Sequence, residues 1–160
     1  MNMRASNSAC ADSRECSGFC AGEEQEKKTM MSEELKGLLS IPSETGCGAE
    51  EDAEYGLMPY GRHVFEALRY ALDLCERLGF RTKNCENRIG WAEIGEGEEM
   101  IGILAHLDVV PAGNDWDYPP YDLTVADGQM YGRGILDDKG PAFLAILAMK
   151  DLLNGGIPLK

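Results

Sequence analysis

Nothing in this chain narrows its fold as much as Met100-Ile-Gly-Ile-Leu-Ala105, an almost unbroken apolar run that ends on His106. A run of this kind reads as a strand covered on both faces, as the central strands of α/β sheets are. It predicts an α/β fold, with the histidine just past the strand, at the sheet edge where such folds place their ligands.

The flanking segments supply helices and further strands. Ser32 can cap a helix whose Leu35, Leu38 and Leu39 share one face, with Glu33 and Glu34 at its positive end. Pro42 stops it by disfavouring the helical conformation at Ile41. Residues 43–60 are acidic and Gly-rich and read as a loop. A second helix is expected over 61–78, with Val64, Leu68, Ala71, Cys75 and Leu78 as its stripe and Gly79 as a left-handed stop. His63, at its start, reads as a surface histidine. Residues 80–85 and 90–94 read as strands, and Asp127-Gly128 marks a hairpin between 123–126 and 129–132. From Pro141 to Met149 the chain is apolar on every side and predicts a buried helix ending near Asn154-Gly155-Gly156. Residues 157–160 read as the start of another strand, so the chain is expected to be the front part of a longer protein or a truncated gene product.

Charge and composition exclude several roles. Among 160 residues, 28 acidic side chains against 15 basic ones leave a net charge of −13. That balance argues against nucleic-acid and anionic-membrane partners and favours local cation binding. No apolar run approaches the ~20 residues of a bilayer span, and the N-terminus lacks the apolar stretch of a signal peptide. A cytoplasmic protein with reduced thiols is expected. Cys10, Cys16 and Cys20 fit no C-x-x-C zinc spacing. Residues 1–31, with Phe19 as their only large aromatic, are expected to be a disordered extension.

Two clusters carry chemistry. In Ala105-His106-Leu107-Asp108 the histidine and aspartate, two apart in an extended chain, point to one side, so Asp108 can accept a hydrogen bond from the His106 ring. A carboxylate behind a histidine fixes its tautomer and increases its basicity, as around metal ligands. In Asp137-Asp138-Lys139-Gly140, two carboxylates precede the last helix, with Asp138 near its positive end and Asp137 free to project into a site. A pair of zinc ions held close together needs a bridging carboxylate, a task that suits such a corner. Asp108, Asp115, Asp117, Asp122 and Asp127 fit no twelve-residue calcium loop.

In order along the chain stand Ser40-Ile41-Pro42-Ser43, HLDVVPAG from His106 to Gly113, an aromatic loop with Trp116 and Tyr118-Pro-Pro-Tyr121, the hairpin, and YGRG-x-x-DDKGP from Tyr131 to Pro141. This set resembles the dizinc metallopeptidase family of dipeptidase V, carboxypeptidase G, aminoacylase and succinyl-diaminopimelate desuccinylase. It is most similar to the dipeptidase V branch, over about residues 34–160.

The resemblance implies a three-layer sandwich with a mixed, largely parallel central sheet, incomplete at its C-terminus. Residues 32–160 would be the amino-terminal part of the zinc-binding catalytic domain, without its lid domain. His106 would be a terminal ligand of one zinc, Asp137 the carboxylate bridging both, and Asp108 the active-site acid that orients His106. A cis peptide would follow Asp137. Asp138, Lys139 and Gly140 would support the site, Lys139 and Gly140 by starting the helix; Arg133 would brace the loop and Trp116 would pack. Two zinc ions per full-length subunit, with manganese or cobalt as alternatives, would hydrolyse amide bonds in dipeptides or short peptides. An N-acyl-amino-acid deacylase or desuccinylase, or a non-catalytic remnant, is the alternative. The family's Glu-Glu pair, remaining carboxylate and late histidine ligand have no match here. The 160 residues alone are therefore expected to bind zinc weakly and to hydrolyse nothing.

Overall fold

The computed structural model describes residues 31–155, and one unit of it runs from Glu34 onward. The expected extension and Cys10, Cys16 and Cys20, like the expected strand over 157–160, lie outside the described residues, except Met31, which is helical.

Helix α1 covers 31–40 and ends at the bend before Pro42. Helix α2, Arg62–Arg77, starts from Gly61 (φ 88°). Its end is a Schellman turn: Gly79, at φ 90°, donates to Glu76 O and Phe80 N to Cys75 O. Helix α3 is Lys139–Asn154. Leu38 of α1, Ala67 and Leu74 of α2 and Phe143 of α3 form the buried centre, with Leu107 and Ile146 packed against it. The buried residues of α2 are Phe65, Ala67, Ala71, Leu74 and Cys75. Of the expected stripe, Val64 and Leu68 instead line a groove of about 760 Å³ beside this core.

Three antiparallel hairpins complete the described fold. Strands β1 (Glu50–Asp52) and β2 (Gly56–Met58) lie inside the segment expected to be loop. Asp52 Oδ1 nucleates their turn by accepting from the amides of Glu54 and Tyr55. Strands β3 (Arg81–Cys85) and β4 (Ile89–Glu93) pair across a turn in which Glu86 and Asn87 take left-handed φ. Gly90 lets this hairpin sit on α2, since a Cβ there would meet Leu68 and Leu72 at 2.9 Å. Strands β5 (Thr124–Ala126) and β6 (Gln129–Tyr131) join through Asp127 and Gly128, both left-handed, as the hairpin signal predicts.

Three expectations are corrected. Residues 100–105 form no strand, and Met100, Ile101 and Leu104 are 82%, 96% and 89% exposed. A strand exists only by hydrogen bonds to a neighbour, and no described segment lies along either edge of this run. The largely parallel sheet is accordingly missing among the described residues: every sheet is an antiparallel pair, and the one parallel pairing is an isolated bridge between Glu44 and Val109. Helix α3 is likewise not buried all round, for Leu144 is 65% exposed. Leu152 and Leu153, further along it, are exposed as well.

Candidate active site

The chain leaves the apolar run at His106 and continues along the groove, which His106, Leu107 and Asp108 help to line. Extended backbone puts positions 106 and 108 on one side. The structure brings Asp137 to the same place from more than thirty residues on. His106 Nε2 lies 3.0 Å from Asp137 Oδ1. On the opposite edge of the ring, Nδ1 lies 3.0 Å from the backbone carbonyl of Asp108 and 3.3 Å from its carboxylate Oδ1. Carbonyl and carboxylate oxygens only accept, so each ring nitrogen faces an acceptor, and both contacts are hydrogen bonds together only when both nitrogens carry protons. Partial burial pulls the His106 pKa down. The Asp108 carbonyl and the Asp137 and Asp108 carboxylates outweigh it, leaving the imidazole above its ordinary value.

Asp138 faces the same histidine from behind: its Oδ2 accepts from His106 N at 3.2 Å. It is also the residue just before α3, and the Asp137–Asp138 peptide is cis. Lys139 and Gly140 turn inward rather than toward the groove. Lys139 is fully buried and its ammonium donates to Leu38 O (3.0 Å) and Ile41 O (2.6 Å), the carbonyl end of α1. Burial pushes it down to about 8. Gly140 N bonds Gly134 O at 2.9 Å, and its Cα is pressed so closely on the Ile135 carbonyl that a Cβ has no room.

The loop after Asp108 is laced to the body. Arg133 stacks on Trp116 with its guanidinium 5.0 Å from the ring centre, and both side chains donate to Ala112 O. Glu44 accepts from the Tyr121 hydroxyl and from Ala112 N. Ser43, buried, donates through Oγ to Leu107 O at 2.6 Å. The sequence offers Ser43 only as the end of the Ser40–Ser43 motif, without a role, and Glu44 not at all; their contacts show only when residues 107–112 are seen against them.

Donor chemistry permits a cation between His106 and Asp137. Two ligands of one tetrahedral zinc at ~2.0 Å stand about 3.3 Å apart, close to the 3.0 Å between Nε2 and Oδ1. Two donors are fewer than the three protein ligands of a catalytic zinc, and among the described residues no group of three or more His, Cys, Asp or Glu could hold a metal ion. The residues present fit part of such a centre and do not complete it.

Comparison with known proteins extends this picture. Residues 102–160 match the model of Peptidase family M20/M25/M40. The protein named Putative dipeptidase SSP1012 of Staphylococcus saprophyticus is 41% identical over 128 residues, 80% of this chain and 26% of its own length. Putative dipeptidase YtjP of Bacillus subtilis is 37% identical over the same shares. Among solved structures, human carnosine dipeptidase 1 superposes with a TM-score of 0.59 at 26% identity, covering 80% of this chain and 29% of that one. The chain thus spans about a quarter of the length of the curated relatives it matches.

Proposed function

We propose that this chain, whose residues 102–160 match the model of Peptidase family M20/M25/M40, supplies the His106 and Asp137 portion of a zinc-dependent dipeptidase site. The observation that carries the reading is the 3.0 Å approach of Asp137 Oδ1 to Nε2 of His106, a residue that lines the groove. His106 and Asp137 would hold the zinc as imidazole and carboxylate ligands, and Asp108 would be the acid that orients the imidazole. Zinc, when bound, lowers the pKa of a coordinated water and polarises a substrate carbonyl. The chain's own residues hold the imidazole with Nε2 toward Asp137 and keep Asp138 against the His106 amide. Arg133 and Trp116 keep the 109–121 loop closed on the site. Asp138, Lys139 and Gly140 fix the start of α3. The substrate is a dipeptide or short peptide, and the relatives named as dipeptidases support that choice. A cytoplasmic setting belongs to the same reading; among the described residues no helix is long and apolar enough to cross a membrane.

The test replaces the matching segment of the Bacillus subtilis relative with residues 34–155 of this chain and assays zinc-dependent dipeptide hydrolysis beside the parent. Hydrolysis comparable to the parent, lost by at least ~10³-fold in His106→Ala and Asp137→Ala as metal ligation requires, is the expected result. A folded, zinc-loaded chimera that cleaves N-acyl amino acids but no dipeptide overturns the substrate class. Hydrolysis that survives either substitution overturns the site. The 160-residue chain alone, titrated calorimetrically with zinc, is expected to bind more weakly than ~1 μM, since the described residues offer two ligands where a catalytic zinc takes three.

A further inference from the structure

Two stretches carry the candidate site: residues 106–109 with His106 and Asp108, and residues 137–139 with Asp137 and Asp138. They meet at the site through the contacts of His106 with Asp137 and Asp138. They close on each other a second time, at Gly134. The geometry points to Gly134 as a positioning residue, a spacer whose missing side chain sets how near Asp137 comes to His106. This rests on the reading of His106 and Asp137 as the metal-holding pair, and carries it to the residue that fixes their spacing.

Gly134 has φ 92°, a backbone conformation that strains any side chain. Space is short as well. A Cβ at this position would lie 3.1 Å from Val109 Cγ1 and 3.2 and 3.3 Å from Lys139 Cδ and Cγ. Contacts this tight require a neighbour to give by a few tenths of an ångström. Neither neighbour is free to do so. Val109 is buried and its backbone is bonded twice, its N to Ser43 O at 2.8 Å and its O to Thr45 N at 2.9 Å. Lys139 is fully buried, with its ammonium tied to Leu38 O and Ile41 O. Gly134 cannot withdraw either: its carbonyl accepts from Gly140 N at 2.9 Å, and the preceding amide, Arg133 N, is bonded to Pro120 O at 2.7 Å.

Close-packed interiors transmit strain instead of absorbing it. A methyl group on Gly134 would therefore act as a wedge between the two stretches. Val109 is three residues from His106 and Lys139 two from Asp137, so the separation opens at the 3.0 Å approach of Nε2 to Oδ1. Gly79 supplies the control. Its φ is 90°, and nothing lies within 4 Å of a Cβ built there. As alanines the two positions carry the same backbone strain and differ in what the methyl group meets.

The test measures NMR cross-relaxation between the His106 ring protons and the Asp137 β protons in the 160-residue chain, without metal or substrate. The native chain is expected to show the cross-peak, Gly134→Ala to weaken it, and Gly79→Ala to leave it at native strength. Adding Val109→Ala to Gly134→Ala removes the nearest atom and is expected to bring the cross-peak back. In the chimeric dipeptidase, Gly134→Ala is expected to lower kcat/KM about tenfold, since a ~1 Å misplacement costs ~10²-fold, and Val109→Ala to recover most of that loss. A folded Gly134→Ala chain with a native cross-peak overturns the proposal, as does absence of the cross-peak from the native chain. An equal loss in Gly79→Ala, or a double variant that stays weak or unfolded, assigns the effect to backbone strain and overturns it too. Cross-relaxation needs no catalysis, so a chimera that hydrolyses nothing sinks the dipeptidase reading while the spectrum still decides the role of Gly134.

Discussion

Two neighbouring regions of this molecule answer the same demand differently. In residues 81–93 each strand of the hairpin finds its partner a few residues away, and Gly90 lets the pair lie on α2. In 100–105 a more apolar segment has no partner among the described residues, and its side chains stand in solvent. Hydrophobicity says what a segment would gain by burial, whereas hydrogen-bond pairing requires a specific edge. The first region carries its edge within its own sequence neighbourhood; the second depends on something distant.

Amide hydrogen exchange gives the sharpest contrast. Amides of 100–105 should exchange near the unprotected rate, while those inside α2 and in the β3–β4 ladder are slowed by about 10³-fold or more, as cooperative unfolding of a stable core demands. Equal protection in both regions would erase the distinction. Side-chain truncation comes next. Leu74→Ala, in the buried centre, should cost about 2–5 kcal/mol in urea unfolding. Leu104→Ala, 89% exposed, should stay within about 0.5 kcal/mol.

Alkaline pH probes the packed region through a buried thiol. Burial pushes Cys75 up to about 11 from its ordinary 9.0. The unfolded chain therefore releases this proton first, so the stability it contributes is complete below pH 9 and falls as pH rises toward 11. The loss should reach about 2–3 kcal/mol, and Cys75→Ala should flatten that part of the profile. The smallest effect separates two glycines. Gly79, at φ 90° in the α2 stop, should cost about 1 kcal/mol as Ala. Gly102, with open space around it, should change stability by less than about 0.5 kcal/mol.

The same contrast explains what could be read from the chain beforehand. The extent of α2 with its Gly79 stop, the Asp127-Gly128 turn and the β3–β4 pair were legible because each signal acts over a few residues. The β1–β2 hairpin escaped because Glu50-Glu51-Asp52 is acidic, and the turn depends on the Asp52 side chain rather than on apolar alternation. The strand over 100–105 and full burial of α3 were expected from composition, which records a preference for cover without providing it. At the site, the closeness of His106 and Asp108 follows from strand geometry. The approach of Asp137 came only through resemblance to a family, since no local rule joins positions 106 and 137. Ser43 showed only as the last residue of the Ser40–Ser43 motif: its hydroxyl bond to Leu107 O and its carbonyl bond from Val109 N reach residues 64 and 66 positions away, which no local pattern reveals.

The missing side chain at Gly140 has its own consequence. With the Ile135 carbonyl pressed on its Cα, even a methyl group there would force the start of α3 to retreat by about 1 Å, a displacement that in a reaction centre can cost on the order of 10²-fold in rate. The helix leads directly back to Asp138 and Asp137, so it acts as a lever whose fulcrum is a hydrogen atom. The smallest possible enlargement at position 140 would lift Asp137 off the imidazole and Asp138 off the His106 amide without altering any of the three.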